Sequence, residues 1–232
     1  MTTVTINQAL HLPYLGIFER MAKSSVFVFL DDVQFIKNDF YNRNKIKTAT
    51  GPQWITVPVR YHFPWIQNEV TIDFSKNWAE KNWRSIELNY SKAPFFNMYK
   101  DSFKECYQKR WNTISDFNID LTFYLAEKFG ISPTFVRSSQ MGVDKSMGRS
   151  ERLLSICQQL GAARYFSGKG GHNYLNEEIF SQNDIEVVYQ DFMHPVYPQP
   201  YGEFIPNLSG IDLLFNSGPE SLNTILNAVS YA

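Results

Sequence analysis

Apolar residues recur along this chain with two different periods. Thr3 to Ile6 alternates with β-branched side chains and reads as a strand, and Val26 to Leu30 (VFVFL) is an unbroken apolar run of the kind buried on both faces of a sheet. Between them Leu12, Leu15, Phe18, Met21 and Ala22 recur at helical spacing behind Pro13, so residues 13 to 23 are predicted to be helical. Strand, helix, strand implies a parallel pair joined by a right-handed crossover. Trp54 to Val59 and Glu69 to Phe74 alternate like two strands able to pair antiparallel. From Trp78 to Gly130 the period turns helical three times, with the third helix closed by Gly130. Strands are predicted again at Pro133 to Arg137, at the apolar run ending in Phe166, and at Ile185 to Tyr189. They alternate with helices at Ser150 to Leu160, capped by Ser150, and at Asn176 to Gln182. Ser209 is read as the cap of a further helix with Asp212 at its third position, and the last helix starts near Pro219. The pattern predicts one α/β domain over residues 1 to 232. Its core is a mostly parallel, Rossmann-like three-layer sheet with helices on both faces, and residues 76 to 130 form a helical insert or cover.

Charge changes this picture by exclusion. The 232 residues carry 22 basic and 23 acidic side chains, a formal net charge of −1, which argues against generic nucleic-acid binding because that needs a basic excess. Cys106 and Cys157 fall in predicted helices without metal-ligand spacing, as expected of reduced, buried thiols in the cytoplasm. The four histidines give no zinc pattern, so no metal site is expected. No apolar run reaches membrane-spanning length, and the first residues lack the layout of a secretion signal. Aromatic residues, with 19 Phe, 13 Tyr and 5 Trp, fall in loops as well as in periodic positions, where they suit stacking on a base or a sugar.

Candidate chemistry gathers where strands end, because ligands of parallel sheets sit at the carboxyl ends of the strands. Asn7, Gln8, Asp31, Asp32 and Gln34 fall there. Asp32 is a candidate base, or a ligand for a metal or a ribose hydroxyl, and the plainer role for one of two adjacent acids is to cap a turn. The stretch Ser167 to Leu175 (SGKGGHNYL) joins a strand to a helix start through Gly168, Gly170 and Gly171. Its backbone N–H groups, with Lys169 and the following helix dipole, would cradle a phosphate or carboxylate, although the order matches no established nucleotide fingerprint. Residues 36 to 53 are predicted to form a long loop or hairpin in which Arg43, Asn44, Lys45 and Lys47 would clamp an anion or simply make a solvated basic turn. The loop bearing Asp144, Lys145, Ser146 and Arg149 could close over a nucleotide phosphate, yet it carries no signature and reads better as a mobile connection. His11 and His172 sit in loops beside strand ends, as bases or as hydrogen-bonded loop residues. The proline-stiffened tail from His194 to Gly210 would present Tyr197, Gln199 and Tyr201.

Taken in order, NQALHLPYLGIFERMAKSSVFVFLDDVQF, FYNRNKIK, WITVPV, YFSGKGGHNYL and HPVYPQPYGEFIPNLSGIDLLFNSG resemble the WbqC-like family of bacterial proteins, with the weakest match in the helical middle. Asp31 to Phe35, Asn42 to Asn44, Ser167, Gly168, Tyr174 and Tyr197 to Gln199 carry the resemblance. One departure stands out. The family usually opens with His-Gln-Pro, and this chain has Asn7, Gln8 and Ala9, with His11 four residues after the expected histidine. The resemblance implies a place in O-antigen or other surface-polysaccharide synthesis. It suggests a transferase or ligase that attaches a glycyl or related group to the amine of a nucleotide-linked amino sugar. In that reading Asp32, His11 or His172 takes the amine proton, and the glycine loop with Arg43, Asn44 and Lys47 holds phosphate or the acyl carboxylate. Tyr174, Tyr197, Gln199 and Tyr201 line the sugar nucleotide, and ATP with Mg2+ or an acyl donor is the expected co-reactant. The alternative is a non-catalytic carbohydrate-binding or scaffold protein of the same pathway.

Overall fold

The computed structural model describes residues 1–227. Strands β1 (Thr3–Asn7) and β2 (Val26–Phe29) run parallel with Val4 opposite Val26 and Asn7 opposite Phe29, and helix α1 (Leu15–Ala22) connects them. Parallel strands β7 (Thr134–Arg137), β8 (Arg164–Ser167) and β9 (Glu186–Tyr189) complete a five-stranded sheet in the order β7-β2-β1-β8-β9. Two-residue alternation explains how one apolar run serves two cores. Val26 and Val28 pack into one cluster with Val4, Ile6 and helix α5 (Arg149–Gln159), while Phe27 and Phe29 pack into the other with α1 and helix α4 (Ile114–Lys128). Helix α6 (Glu177–Ser181) adds Phe180 to the first cluster, stacked on Tyr165 with ring centroids 5.5 Å apart. The result is an α/β architecture with helices on both faces of a parallel sheet.

The chain moves from β1 to β2 in one direction and from β8 to β9 in the other. Right-handed crossovers in opposite directions put their helices on opposite faces, so a crevice opens where β1 and β8 part at their carboxyl ends. That topological fact positions the site.

Between β2 and β7 lies the long excursion. Strands β3 (Arg43–Thr48) and β4 (Gly51–Thr56) form an antiparallel hairpin, and β5 (Val59–Arg60) and β6 (Thr71–Ile72) form a short antiparallel pair. The two alternating segments expected to pair with each other therefore meet only at Val59 and Ile72, with Arg60 beyond the first segment pairing Thr71, because Gly51–Thr56 finds its partner in the hairpin. Helices α2 (Trp78–Tyr90), α3 (Phe96–Gln108) and α4 follow, and their buried aromatics join the larger cluster together with helix α7 (Gly210–Ser217) and Ile225 of helix α8 (Ser221–Leu226). Residues 76 to 130 thus share a core with the sheet layer, as where Phe129 meets Phe18 of α1 at 4.9 Å, and the more exposed Phe123 ring meets Phe135 at 4.7 Å and Phe29 at 5.5 Å.

Two predicted caps differ from the structure. Gly148 takes the N-cap position of α5, and the Ser150 hydroxyl instead donates to the Tyr174 carbonyl and accepts from the Asn176 amide, tying the helix start to the glycine loop. Ser209 does precede α7 but makes no side-chain cap bond, and Asp212 turns inward.

A cation-lined crevice as candidate functional site

The crevice at the β1/β8 parting encloses about 690 Å3. Its floor comes from strand ends. Ile6 and Asn7 end β1 and Gln8 follows it, Tyr165 and Ser167 belong to β8, and Arg20 reaches across from α1. One wall is the turn of Gly168, Gly170 and Gly171 with Tyr174, and the adjoining wall is Lys145, Met147, Arg149, Arg152 and Leu153 from the α5 approach and first turns. Leu30, Val33, Gln34, Ile36 and Tyr41 close the remaining side. Among the described residues the lining holds four cations and no carboxylate, imidazole or thiol. Low-dielectric walls lined with one sign of charge focus the field and favour an anion.

Each cation is placed by a different device. Arg20 is 4% exposed, and its guanidinium donates to Asn7 Oδ1 at 2.6 Å, Thr5 Oγ1 at 3.3 Å and the Ile6 carbonyl at 3.5 Å. Burial lowers its pKa from the ordinary arginine value. Arg152 donates to Asp32 Oδ1 at 2.6 Å, and Lys145 Nζ stands 3.8 Å from Asp32 Oδ2. Arg149 lies over the Tyr174 ring at 4.8 Å. Gly171 is there because no side chain fits, since a Cβ would stand 2.3 Å from Ser167 Oγ. The mouth is apolar and open, with Ile36 53%, Met147 42% and Tyr174 41% exposed.

The acids after β2 hold this wall together. Asp31 accepts from Arg137 Nε at 3.0 Å, Ser138 Oγ at 3.3 Å, and Ser139 N and Oγ at 3.1 and 2.9 Å, which fixes the end of β7. Asp32 is 3% exposed and also accepts from Ser138 Oγ. Their oxygens are engaged by donors, so the pair does not present itself to a metal ion. Among the described residues no group of three or more His, Cys, Asp or Glu side chains could hold one.

A model of the WbqC-like protein family matches residues 8–224, a span that contains all four crevice cations. The chain belongs to the WbqC-like protein family. A relative of this WbqC-like chain is the uncharacterized protein Rv1507c of Mycobacterium tuberculosis (strain ATCC 25618 / H37Rv), 36% identical over 225 residues, or 95% of this chain and 96% of the relative. No solved structure matches the chain. No described helix is long and apolar enough to cross a membrane.

Of the residues singled out in this WbqC-like sequence, Asn7, Gln8, Gln34, Ser167, Gly168, Gly170, Gly171 and Tyr174 meet at the crevice. Others are placed elsewhere for identifiable reasons. His11 is fully buried, with Nδ1 3.2 Å from Asn118 Oδ1 and Nε2 3.3 Å from the Tyr107 hydroxyl, and burial pushes its pKa down to about 4. It is an interior hydrogen-bonding residue rather than a base at the mouth. His172 is exposed and stacks on Tyr189 with centroids 3.5 Å apart, and Lys169 points away from the lining. The glycine turn runs into a short 3-10 segment, Lys169–Asn173, in which Gly171 N bonds to Gly168 O and Tyr174 N to Gly171 O; α6 begins later under an Asn176 cap. The expected helix dipole is therefore not aimed at the turn.

The expected basic clamp comes apart for two reasons: strand alternation turns Asn44 away from Arg43 and Lys45, and Lys47, although on the same face as those two, is covered by the proline-rich tail. Arg43 and Lys45 flank the Trp54 ring at 4.1 and 4.8 Å, while Asn44 and Lys47 are buried, each on a different face of the strand. Asn44 donates to the carbonyls of His11 and Leu12 at 3.1 and 2.7 Å. Lys47 donates to Gln199 Oε1 at 3.1 Å and to the Glu203 carbonyl. Tyr197 and Gln199 bond to buried Asp212 at 2.8 and 2.7 Å, and Tyr201 donates to the Asn89 carbonyl at 3.1 Å. The proline-rich tail is a strap over the core.

The sequence reading missed Arg20 and Arg152, both hidden in ordinary helical periods. It set aside Lys145 and Arg149, whose loop is tied down rather than loose. Their signal was positional, because basic residues just before and after the start of a helix leading into β8 lie at the sheet's switch point.

Proposed function

We propose that this protein is a transferase or ligase that acylates the amine of a nucleotide-linked amino sugar during synthesis of a bacterial surface polysaccharide. The observation that carries the reading is the wall of Lys145, Arg149 and Arg152, facing a crevice free of carboxylates. A sugar nucleotide carries two charges on its diphosphate, which that wall and the adjacent glycine turn suit. The exposed apolar mouth at Ile36, Met147 and Tyr174 suits a base or sugar ring. In the reaction the amine nitrogen forms the amide bond as the acyl carbon separates from the donor's leaving group, and the amine proton leaves to solvent at the open mouth. Bound cations would stabilise the negative charge that develops on the acyl oxygen. Two unpaired thiols fit a reducing cytoplasm, where nucleotide-linked sugars are substrates.

Incubation with UDP-glucosamine and an activated glycine, as thioester or with ATP, tests the reading by mass spectrometry. A glycylated sugar nucleotide, formed far more slowly by Lys145→Ala/Arg152→Ala, is the expected result. A second reading, that of a carbohydrate-binding protein without chemistry, is favoured by the lack of any imidazole or carboxylate in the lining. Binding of UDP-glucosamine with no product from any donor would select it.

A further inference from the structure

Arg20 stands apart from the other crevice cations. Lys145 and Arg152 share the Asp32 carboxylate, but among the described residues none of the ion pairs includes Arg20. The neighbouring Glu19 is already taken by Lys23 and by Gln190 Nε2, the latter at 2.7 Å. Arg20 is bonded only to neutral oxygens, its Nε is buried without a partner, and it faces the crevice floor. A buried charge without a counter-ion costs several kcal/mol, and protein structures tolerate that mainly where something else supplies the opposite charge.

We propose that Arg20 is the seat of a separate small oxyanion, a carboxylate, at the bottom of the crevice. The inference rests on the acyl-transfer reading only for its biological meaning, since the seat would then take the carboxylate of the group to be transferred or of its donor. Three features define it. A single guanidinium matches one negative charge, whereas a phosphate dianion or a diphosphate exceeds it. Asn7 and Thr5 orient the planar fork, with the shortest bond at 2.6 Å to Asn7 Oδ1. Gly168 packs over the guanidinium, where a Cβ would stand 3.5 Å from Arg20 Cζ, so the seat is narrow on the β8 side. The wall at Arg149 and Arg152 and the floor at Arg20 arise from different elements, α5 and α1, so two anions can be held at once.

The probes are acetate and UDP-glucosamine, added singly and together at constant ionic strength made up with chloride, and the readout is the rise in Tm of the full chain. Wild type is expected to be stabilised by each, and more by both together. Arg20→Met should lose the acetate effect and keep the UDP-glucosamine effect within about twofold in affinity. Asn7→Ala, which removes the orienting oxygen but keeps the charge, should weaken the acetate effect and serves if Arg20→Met does not fold. Absence of any acetate effect in wild type, its persistence in Arg20→Met, or joint loss of both effects in a folded Arg20→Met would overturn the separate seat. An acetate effect without a UDP-glucosamine effect would uphold the seat and remove the sugar-nucleotide reading instead.

Discussion

Two polar regions of this molecule are built from the same residue types and have opposite fates. Under the proline-rich strap, Asp212 accepts from Tyr90, Tyr197 and Gln199 at 2.7, 2.8 and 2.7 Å, and Lys47 bonds to Gln199 and the Glu203 carbonyl. Asp212 meets three donors there, and Lys47 meets neutral oxygens and feels the Asp212 carboxylate without an ion pair between them. At the β1/β8 crevice, among the described residues, Arg20 has no acid within ion-pair distance, and Lys145 and Arg152 share one. The first region holds the chain together, and the second leaves positive charge to be answered from outside. A buried basic residue outside any ion pair points to a ligand when it borders an open crevice, as Arg20 does and Lys47 does not, rather than when it stands near other basic residues in sequence.

The largest effect should fall on the first region. Asp212→Ala leaves two tyrosine hydroxyls without their acceptor, takes one of two acceptors from the Gln199 amide and removes a carboxylate that acts on buried Lys47, so chemical denaturation should show a loss of about 4 kcal/mol. Affinity for UDP-glucosamine in the folded fraction should stay the same; a parallel loss of affinity would erase the distinction between the regions.

Acid provides a second comparison, through His11. Its folded pKa is pushed down to about 4 by burial, below the 6.5 of an exposed imidazole, so the unfolded chain binds more protons between those values. Stability contributed by the neutral ring is present above pH 6.5 and is lost as pH falls through the folded value. Unfolding free energy should drop by about 2 kcal/mol from this group between pH 7 and pH 5. If His11 were instead an accessible base, its carbon-bound proton NMR signals would titrate near 6.5 in the native state.

Asp32 sharpens the account of the crevice. Coulomb's law alone says that Asp32→Asn, by removing a negative charge, should tighten anion binding. Because Asp32 positions Arg152 and Lys145, the opposite is expected: about tenfold weaker binding of UDP-glucosamine by titration calorimetry. Tighter binding would show that Asp32 only offsets charge. The smallest effects are expected at Lys169→Ala and His172→Ala. Both side chains lie outside the lining, and binding should change by less than about twofold.

The fold was legible wherever one period persisted. VFVFL, the three helices between Trp78 and Gly130, and the strand-helix alternation after Pro133 all signalled their elements, because burial on both sheet faces and amphipathic helices leave direct patterns. The hairpin at Arg43–Thr56 was harder to place, since β3 carries three basic residues on one face, of which Lys47 is buried under the tail, and the polar Asn44 buried on the other. The crevice was half legible. Strand ends named Asn7, Gln8, Ser167 and the glycine turn, but adjacency in sequence suggested a clamp at Arg43 to Lys47 that strand alternation at Asn44 and the covering tail at Lys47 divide between surface and interior. Arg20 and Arg152 carry no local signal at all; they matter because tertiary structure withholds acids from one and a shared Asp32 aims the other.

The most direct test is a calorimetric titration of UDP-glucosamine into wild type and Lys145→Ala/Arg152→Ala at matched ionic strength. The account predicts measurable binding that weakens by about thirtyfold or more in the double variant, near 2 kcal/mol, while the apo protein stays folded. Equal affinity in the two proteins would contradict it, because the ligand would then not be held by the crevice's cationic wall.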